Sequence, residues 1–213
     1  MLYFWLIAAV VIAYLLGSIN FAVIFSNAFL KKDVRSLGSG NAGTTNVMRT
    51  AGFLPGALTF ICDALKGFVA CFLGKIIFTV AYPDTVPWIY VAYMCGVACM
   101  LGHVFPIFFR FKGGKGVATS VGIFAVCSPL AIIIGLTVFA LGVLITKIVS
   151  LSSLIATVTV ISLSLVFYNA EANIALPAVL SISMGVTVFL KHSENIKRLV
   201  KGEEKKITVR RKK

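Results

Sequence analysis

The stretch Gly116-Val-Ala-Thr-Ser-Val-Gly-Ile-Phe-Ala-Val-Cys-Ser-Pro-Leu-Ala-Ile-Ile-Ile-Gly-Leu-Thr-Val-Phe-Ala-Leu-Gly-Val-Leu-Ile-Thr-Lys147 decides the fold. It is apolar almost throughout, and it is longer than the roughly 20 residues that one spanning helix needs. Pro129 disfavours helix at Ser128, so the run divides there. Two helices, at 116–128 and 129–147, would return the chain to the side it left. One broken helix would put everything after Lys147 on the other side. Working outward, hydropathy and length predict further helices at about 2–28, 53–80, 87–109, 149–168 and 173–190.

Charge chooses between the two schemes. With seven helices and the N terminus outside, one side receives Lys31, Lys32, Arg35, Arg49, Arg110, Lys112, Lys115, Lys147 and every basic residue from Lys191 onward. The other side receives Asp84 and Glu171, with only Lys75 near a helix end. That asymmetry satisfies the positive-inside rule, and merging the two helices breaks it. The expected fold is therefore all-α: a polytopic membrane bundle of about seven helices, N terminus outside and C terminus cytoplasmic. One membrane-embedded domain, residues 1–199, is followed by a basic cytoplasmic tail, 200–213.

Composition agrees. Apolar residues make up 59% and charged residues 13%, about half the charged share of a soluble domain, and the mean hydropathy is +1.00. The N-terminal Met-Leu-Tyr-Phe-Trp has no basic region before its apolar run, so the first helix is expected to be retained. The net charge of +13 sits in the loops and the tail. No folded basic module with interleaved aromatics accompanies it, which argues against nucleic acid as partner. Anionic lipid headgroups suit the tail better.

Two glycine-rich basic loops interrupt the apolar chain. The first is Arg35-Ser-Leu-Gly-Ser-Gly-Asn-Ala-Gly-Thr-Thr-Asn46, followed by Arg49; the second is Phe111-Lys-Gly-Gly-Lys-Gly-Val-Ala-Thr119. Glycine lets backbone N–H groups approach a ligand, hydroxyls add donors, and Lys or Arg supplies charge; together these make an oxyanion or phosphate cradle. The first loop approaches a Walker pattern but lacks its lysine and a preceding strand, which argues against nucleotide hydrolysis. A plain polar connector would not need the dense donors Asn41, Thr44, Thr45, Asn46 and Arg49. A plain positive flank would not need Gly113, Gly114 and Gly116 around Lys115.

Within the membrane, Asp63 and Lys66 lie three residues apart on one helix face and can pair. Such charges default to a functional hypothesis, and an ion pair that orients the helix is the alternative. His103 precedes Pro106 and could hold the helix end. His192 and Asn195, at i and i+3, could point into one cytoplasmic pocket. Cys95, Cys99 and His103 form a single helical stripe, too spread along the axis to enclose a metal ion. The five cysteines suit small apolar packing, not a disulfide framework.

Four motifs occur in order: Gly38-Ser-Gly-Asn-Ala-Gly-Thr-Thr-Asn46 with Arg49; Asp63-x-x-Lys66-Gly67; Gly102-His-Val-Phe-Pro-Ile-Phe-x-x-Phe-Lys-Gly-Gly-Lys-Gly-Val-Ala-Thr119; and Lys191-His-x-x-Asn-Ile-x-Arg-Leu199. From the first helix to about Leu199 the chain closely resembles the bacterial acyl-phosphate:glycerol-3-phosphate acyltransferases, the PlsY family. Only the tail after Val200 looks additional.

The resemblance implies transfer of a fatty acyl group from acyl phosphate to the 1-hydroxyl of sn-glycerol 3-phosphate. The products are lysophosphatidic acid and phosphate, in the first acylation of bacterial phospholipid synthesis. It implies no cofactor, no metal and no acyl-enzyme. A separate soluble phosphate acyltransferase would supply the donor, and the enzyme would sit in the bacterial cell membrane with its site on the cytoplasmic side. By resemblance, Ser39, Asn41 and Thr45, with the backbone of Gly113 and Gly114, would line the acyl-phosphate site. Arg49, Lys115, His192 and Asn195 would bind glycerol phosphate, with Lys115 bridging the two. Gly38, Gly40, Gly43, Asn46 and Gly116 complete the substrate-binding set, and Asp63, Lys66 and His103 take a supporting role. His192 could hold the acceptor phosphate or take the hydroxyl proton, and the resemblance favours proton transfer to a substrate phosphate. An acyl-CoA enzyme would be expected to carry His-x4-Asp, but Phe108 and Lys197 stand where the Asp would fall. A transporter of phosphorylated metabolites commonly shows internal repeats and mid-membrane breaks, whereas here the polar motifs cluster on one side.

Overall fold

A computed structural model describes residues 1–83, 85–168 and 174–207. Asp84, Glu171, the expected helix start at 173 and the basic residues Arg210 to Lys213 lie outside that set. Among the described residues the regular structure is helical: α1 (Leu2–Gly17), α2 (Phe21–Leu30), α3 (Thr44–Ala51), α4 (Phe53–Ala81), α5 (Trp88–Val104), α6 (Val117–Cys127), α7 (Pro129–Thr146), α8 (Val149–Val166), α9 (Ala175–Lys191) and α10 (Ser193–Val200), with single 3-10 turns at Val34–Ser36 and Ile107–Phe109. Five stretches are long and apolar enough to cross a bilayer: Leu2–Leu30, Phe53–Ala81, Trp88–Phe109, Pro129–Thr146 and Val149–Val166. The pair α9 and α10, bent by 60°, would be a sixth, and α6 is a shorter apolar helix.

Helix α5 is the most enclosed and packs against α1, α4, α6 and α9. Small residues let its neighbours come close. Gly17 of α1 lies on the Cys99 backbone, Gly102 of α5 lies 2.9 Å from the Ser18 nitrogen as measured from an added Cβ, and Gly122 of α6 lies on Ala64 of α4. Tyr93, Met100, Ile123, Phe124, Met184 and Val188 fill the space between.

The run from 116 to 147 is a hairpin. Lys115, at the start of α6, donates to Asn195 Oδ1, and Asn195 donates to Glu204. Glu204 accepts from Ser150 at the start of α8, and Ile207 N donates to Lys147 O, just past α7. The start of α6 and the end of α7 therefore lie at one end of the bundle.

Elsewhere the structure departs from the hydropathy reading. The helix expected over 2–28 is broken at Ser18–Asn20. There Ser18 Oγ turns back to Tyr14 O, and Asn20 Oδ1 caps a new helix by accepting from Val23 N. The helix expected to reach 109 stops at Val104, because Pro106 restricts Phe105. The short helices α3 and α10 were not foreseen; each is amphipathic, which average hydropathy cannot see. Ordered contacts also continue past residue 200: Glu203 N donates to Arg198 O, and Ile207 N to Lys147 O.

Candidate active site

Asn46 organises the first glycine loop. It is 2% exposed. Its Oδ1 accepts from Ser39 N at 2.9 Å, and its Nδ2 donates to the carbonyls of Val34, Leu37 and Asn41 at 2.9–3.1 Å. Gly38 and Gly40 take positive φ values of 60° and 72° around Ser39, where a side chain would be strained. A Cβ at Gly38 would also run into the Asn46 amide. The result holds Ser39 out, exposed, beside the N terminus of α3. The side chain of Asn46 is spent inside the loop. Arg49 sits in the last turn of α3, exposed and without an ion-pair partner among the described residues.

Arg35 joins the two loops. Its Nε and Nη2 bind Asp33, the latter at 2.7 Å, and its Nη1 donates to Phe109 O at 2.9 Å and Lys112 O at 3.4 Å. The Arg35 hydrogen bond holds the Asp33 carboxyl below its usual range. Sequence reasoning did not select Arg35 as a site residue; a lone Asp-x-Arg in a basic loop was the available signal.

The second loop rests on α5. Gly114 N donates to His103 O at 3.1 Å. A Cβ on Gly113 would meet Pro106 Cδ at 2.7 Å, and one on Gly114 would meet Ala42 O at 2.7 Å. Gly114 thus lies between the end of α5 and the first loop. Gly116, at φ 87°, turns the chain into α6. The first N–H groups of α3 and α6 lack intrahelical partners and suit an anion.

The bend between α9 and α10 brings in the third group. His192 Nδ1 lies 2.8 Å from Val188 O. A carbonyl can only accept, so the Nδ1 carries the proton and Nε2 keeps its lone pair. Burial first, and the charge of Lys115 second, lower the His192 pKa to about 4. Burial likewise draws Lys115 down to about 8, with Glu204 acting the other way. Asn195 lies between them in the network, taking a bond from Lys115 and giving one to Glu204 at 2.6 Å. Glu204 is further bound by Ser150 at 3.0 Å and Arg198 at 2.7 Å. Glu204 and Ser150 were not legible as site-forming residues, because one lies in the tail and the other in an apolar helix.

Asp63, Lys66 and His103 are deeper and mutually close. Lys66 Nζ lies 2.8 Å from Asp63 Oδ1, and His103 Nδ1 lies 3.4 Å from the same oxygen. Lys66 also donates to Gly17 O at 2.9 Å and Ile19 O at 2.8 Å, the carbonyls freed by the break between α1 and α2.

Two loops, clamped by Arg35, thus present exposed hydroxyl and amide donors beside Lys115, His192 and Asn195. Such a surface can hold phosphate groups and stabilise charge on a reacting carbonyl. A family model for glycerol-3-phosphate acyltransferase matches residues 7–202. Glycerol-3-phosphate acyltransferase 2 of Bacillus anthracis is 42% identical over 201 residues, covering 94% of this chain and 98% of its own. The glycerol-3-phosphate acyltransferase of Francisella tularensis subsp. novicida is 41% identical over 198 residues, covering 92% and 90%. Crystal structures of PlsY (YgiH), an integral membrane glycerol 3-phosphate acyltransferase, superpose with a TM-score of 0.83 for the glycerol 3-phosphate form and 0.80 for the lysophosphatidic acid form. Both share 35% identity and cover 95% of this chain, and 96% and 95% of their own. The chain belongs to the PlsY family of integral membrane glycerol-3-phosphate acyltransferases.

Proposed function

We propose that this acyltransferase takes its acyl group from an acyl phosphate and passes it directly to the 1-hydroxyl of glycerol 3-phosphate, giving lysophosphatidic acid and phosphate. The observation that carries the proposal is the Arg35 clamp, which sets two glycine loops side by side with Lys115 between them and the His192–Asn195 bend. Two loops suit two phosphates. Ser39, Asn41 and Thr45, with the Gly113–Gly114 backbone, hold the donor phosphate. Arg49, Lys115 and Asn195 hold the acceptor phosphate, the Nε2 lone pair of His192 accepts from an acceptor hydroxyl, and Gly38, Gly40, Gly43, Asn46 and Gly116 shape the loops around them.

An acyl phosphate is already activated, so alignment and charge stabilisation suffice and no acyl-enzyme is required. A histidine held near pKa 4 is a weak base at neutral pH. That supports a substrate phosphate as proton acceptor, with the neutral Nε2 of His192 orienting the acceptor. The acyl chain lies in a groove of about 560 Å³ between α8 and α9, lined by Ile161, Ile182, Gly185, Val186 and Phe189. Ser193 and Ile196, next to His192 and Asn195, also line it.

The chain crosses the membrane of a bacterial cell seven times, with α6 and α7 as separate crossings, the N terminus outside and the site on the cytoplasmic side. Residues 200–213 extend the domain of 1–199 as a basic cytoplasmic segment against anionic lipid. A soluble phosphate acyltransferase supplies the donor. The test is an assay of the purified protein with palmitoyl phosphate or palmitoyl-CoA as donor and glycerol 3-phosphate as acceptor. Acceptor-dependent lysophosphatidic acid from the acyl phosphate alone is expected; turnover with the CoA ester alone would overturn the donor assignment.

A further inference from the structure

We propose that the buried charge group Asp63–Lys66–His103 is the mount of the second glycine loop, with His103 and Asp63 as positioning residues for phosphate binding. The proposal rests on the reading of that loop as a phosphate cradle.

Three observations carry it. First, His103 holds the loop through two of its parts. Its carbonyl accepts from Gly114 N at 3.1 Å. Its ring packs where a Cβ of Gly114 would stand, with Nε2 and Cε1 on the loop side. The imidazole thus lies directly beneath the backbone that leads into Lys115.

Second, the other edge of the ring is fixed from below. Nδ1 faces Asp63 Oδ1 at 3.4 Å, and Lys66 Nζ approaches the same oxygen at 2.8 Å. Neither Asp63 Oδ1 nor His103 Nδ1 has an aligned hydrogen bond to any other group among the described residues. The ring is held between this carboxylate and the Gly114 backbone by its burial.

Third, the carboxylate is itself anchored. Lys66 binds Gly17 O and Ile19 O at the break between α1 and α2. That same break holds the other side of the loop entry, since Tyr14 donates to Phe105 O and Ile107 N donates to Ser18 Oγ. Charges with 1% side-chain exposure are costly where apolar packing would serve. Here they join a non-helical break in one span to the backbone of a ligand loop in another. Gly113 and Gly114 are required by the same geometry, because a side chain at either would displace the loop from His103.

The experiment measures affinity for inorganic phosphate by calorimetric titration of the purified protein, alongside kcat and KM for both substrates and Tm. The variants are His103→Leu, Asp63→Asn and His103→Asn. Loss of the mount in His103→Leu is expected to weaken phosphate about tenfold or more, the effect of one misplaced charge-assisted hydrogen bond. It is expected to lower kcat/KM for both substrates by a similar factor. His103→Asn, which keeps a donor towards Asp63, is expected to recover most of both. Asp63→Asn preserves shape and is expected to weaken phosphate even if His103→Leu fails to fold. Wild-type phosphate affinity and kinetics in folded His103→Leu and Asp63→Asn, with only Tm lowered, would reduce the group to packing and overturn the proposal. Absence of phosphate binding in the wild-type protein would overturn the reading of the loop, and the mount with it.

Discussion

Lys115 and His192 are held by burial in unusual protonation ranges, and each makes a testable consequence. The folded-state pKa of Lys115 is drawn down to about 8, so its positive charge is present below that pH and lost above it. Phosphate binding needs the charged form. The KM for glycerol 3-phosphate is therefore expected to be flat between pH 7 and the Lys115 pKa, then to rise by up to about tenfold per pH unit, the limiting slope for one titrating group. A flat profile through the alkaline range would contradict the role given to Lys115. His192, near pKa 4, is neutral throughout the physiological range. His192→Gln, which keeps an acceptor in place of Nε2 but disturbs its aim, is expected to raise acceptor KM about tenfold with kcat nearly unchanged. Collapse of kcat at saturating acceptor would make His192 the base. Gly38, Gly40, Gly113, Gly114 and Gly116 were legible as positions of close or left-handed backbone, because glycine beside donors has few other uses. The internal work of Asn46 was not, since a residue that binds three carbonyls of its own loop has the same letter as one that binds a ligand.

Helix–helix contacts explain where hydropathy succeeded and where it failed. The long apolar helices α4, α7 and α8 were foreseen to within a few residues because lipid-facing composition marks them directly. Nothing in average hydropathy marks the break at Ser18–Asn20, whose freed carbonyls are satisfied by a lysine 47 and 49 residues away in sequence. Nor could it mark the segment beyond Val200, where the tail binds back. Glu204 ties α8 to α10 through Ser150, Asn195 and Arg198. Glu204→Gln keeps the shape but removes the charge that holds Arg198. It is expected to lower Tm by roughly 3–10 °C, from the loss of a charged hydrogen-bonded contact, and to raise acceptor KM through Asn195. Unchanged Tm and KM would show that the tail contact is incidental. On α9, Val186 lines the groove assigned to the acyl chain and is 52% exposed. Val186→Phe narrows that groove without entering the core. Its kcat/KM for palmitoyl phosphate relative to octanoyl phosphate is expected to fall about tenfold. A parallel loss for both chain lengths would place the chain elsewhere.

The whole molecule is a helical bundle whose two glycine loops and ordered tail contacts meet, with a buried charge group beneath them. The charge asymmetry predicts one basic end, and in the structure Lys115, through Asn195 and Glu204, and Lys147, through Ile207, both meet the segment after Val200. What no single segment could reveal is that one arginine, Arg35, makes two distant loops a single surface. In the proposed reaction both substrates are held on that surface at once and the acyl group moves directly between them. The measurement that bears on this most directly is rapid-mixing phosphate release from palmitoyl phosphate, first without glycerol 3-phosphate and then with it. Without acceptor no burst is expected, and with it phosphate should appear in step with lysophosphatidic acid. A burst of one phosphate per enzyme in the absence of acceptor would mean a covalent acyl-enzyme and would contradict direct transfer.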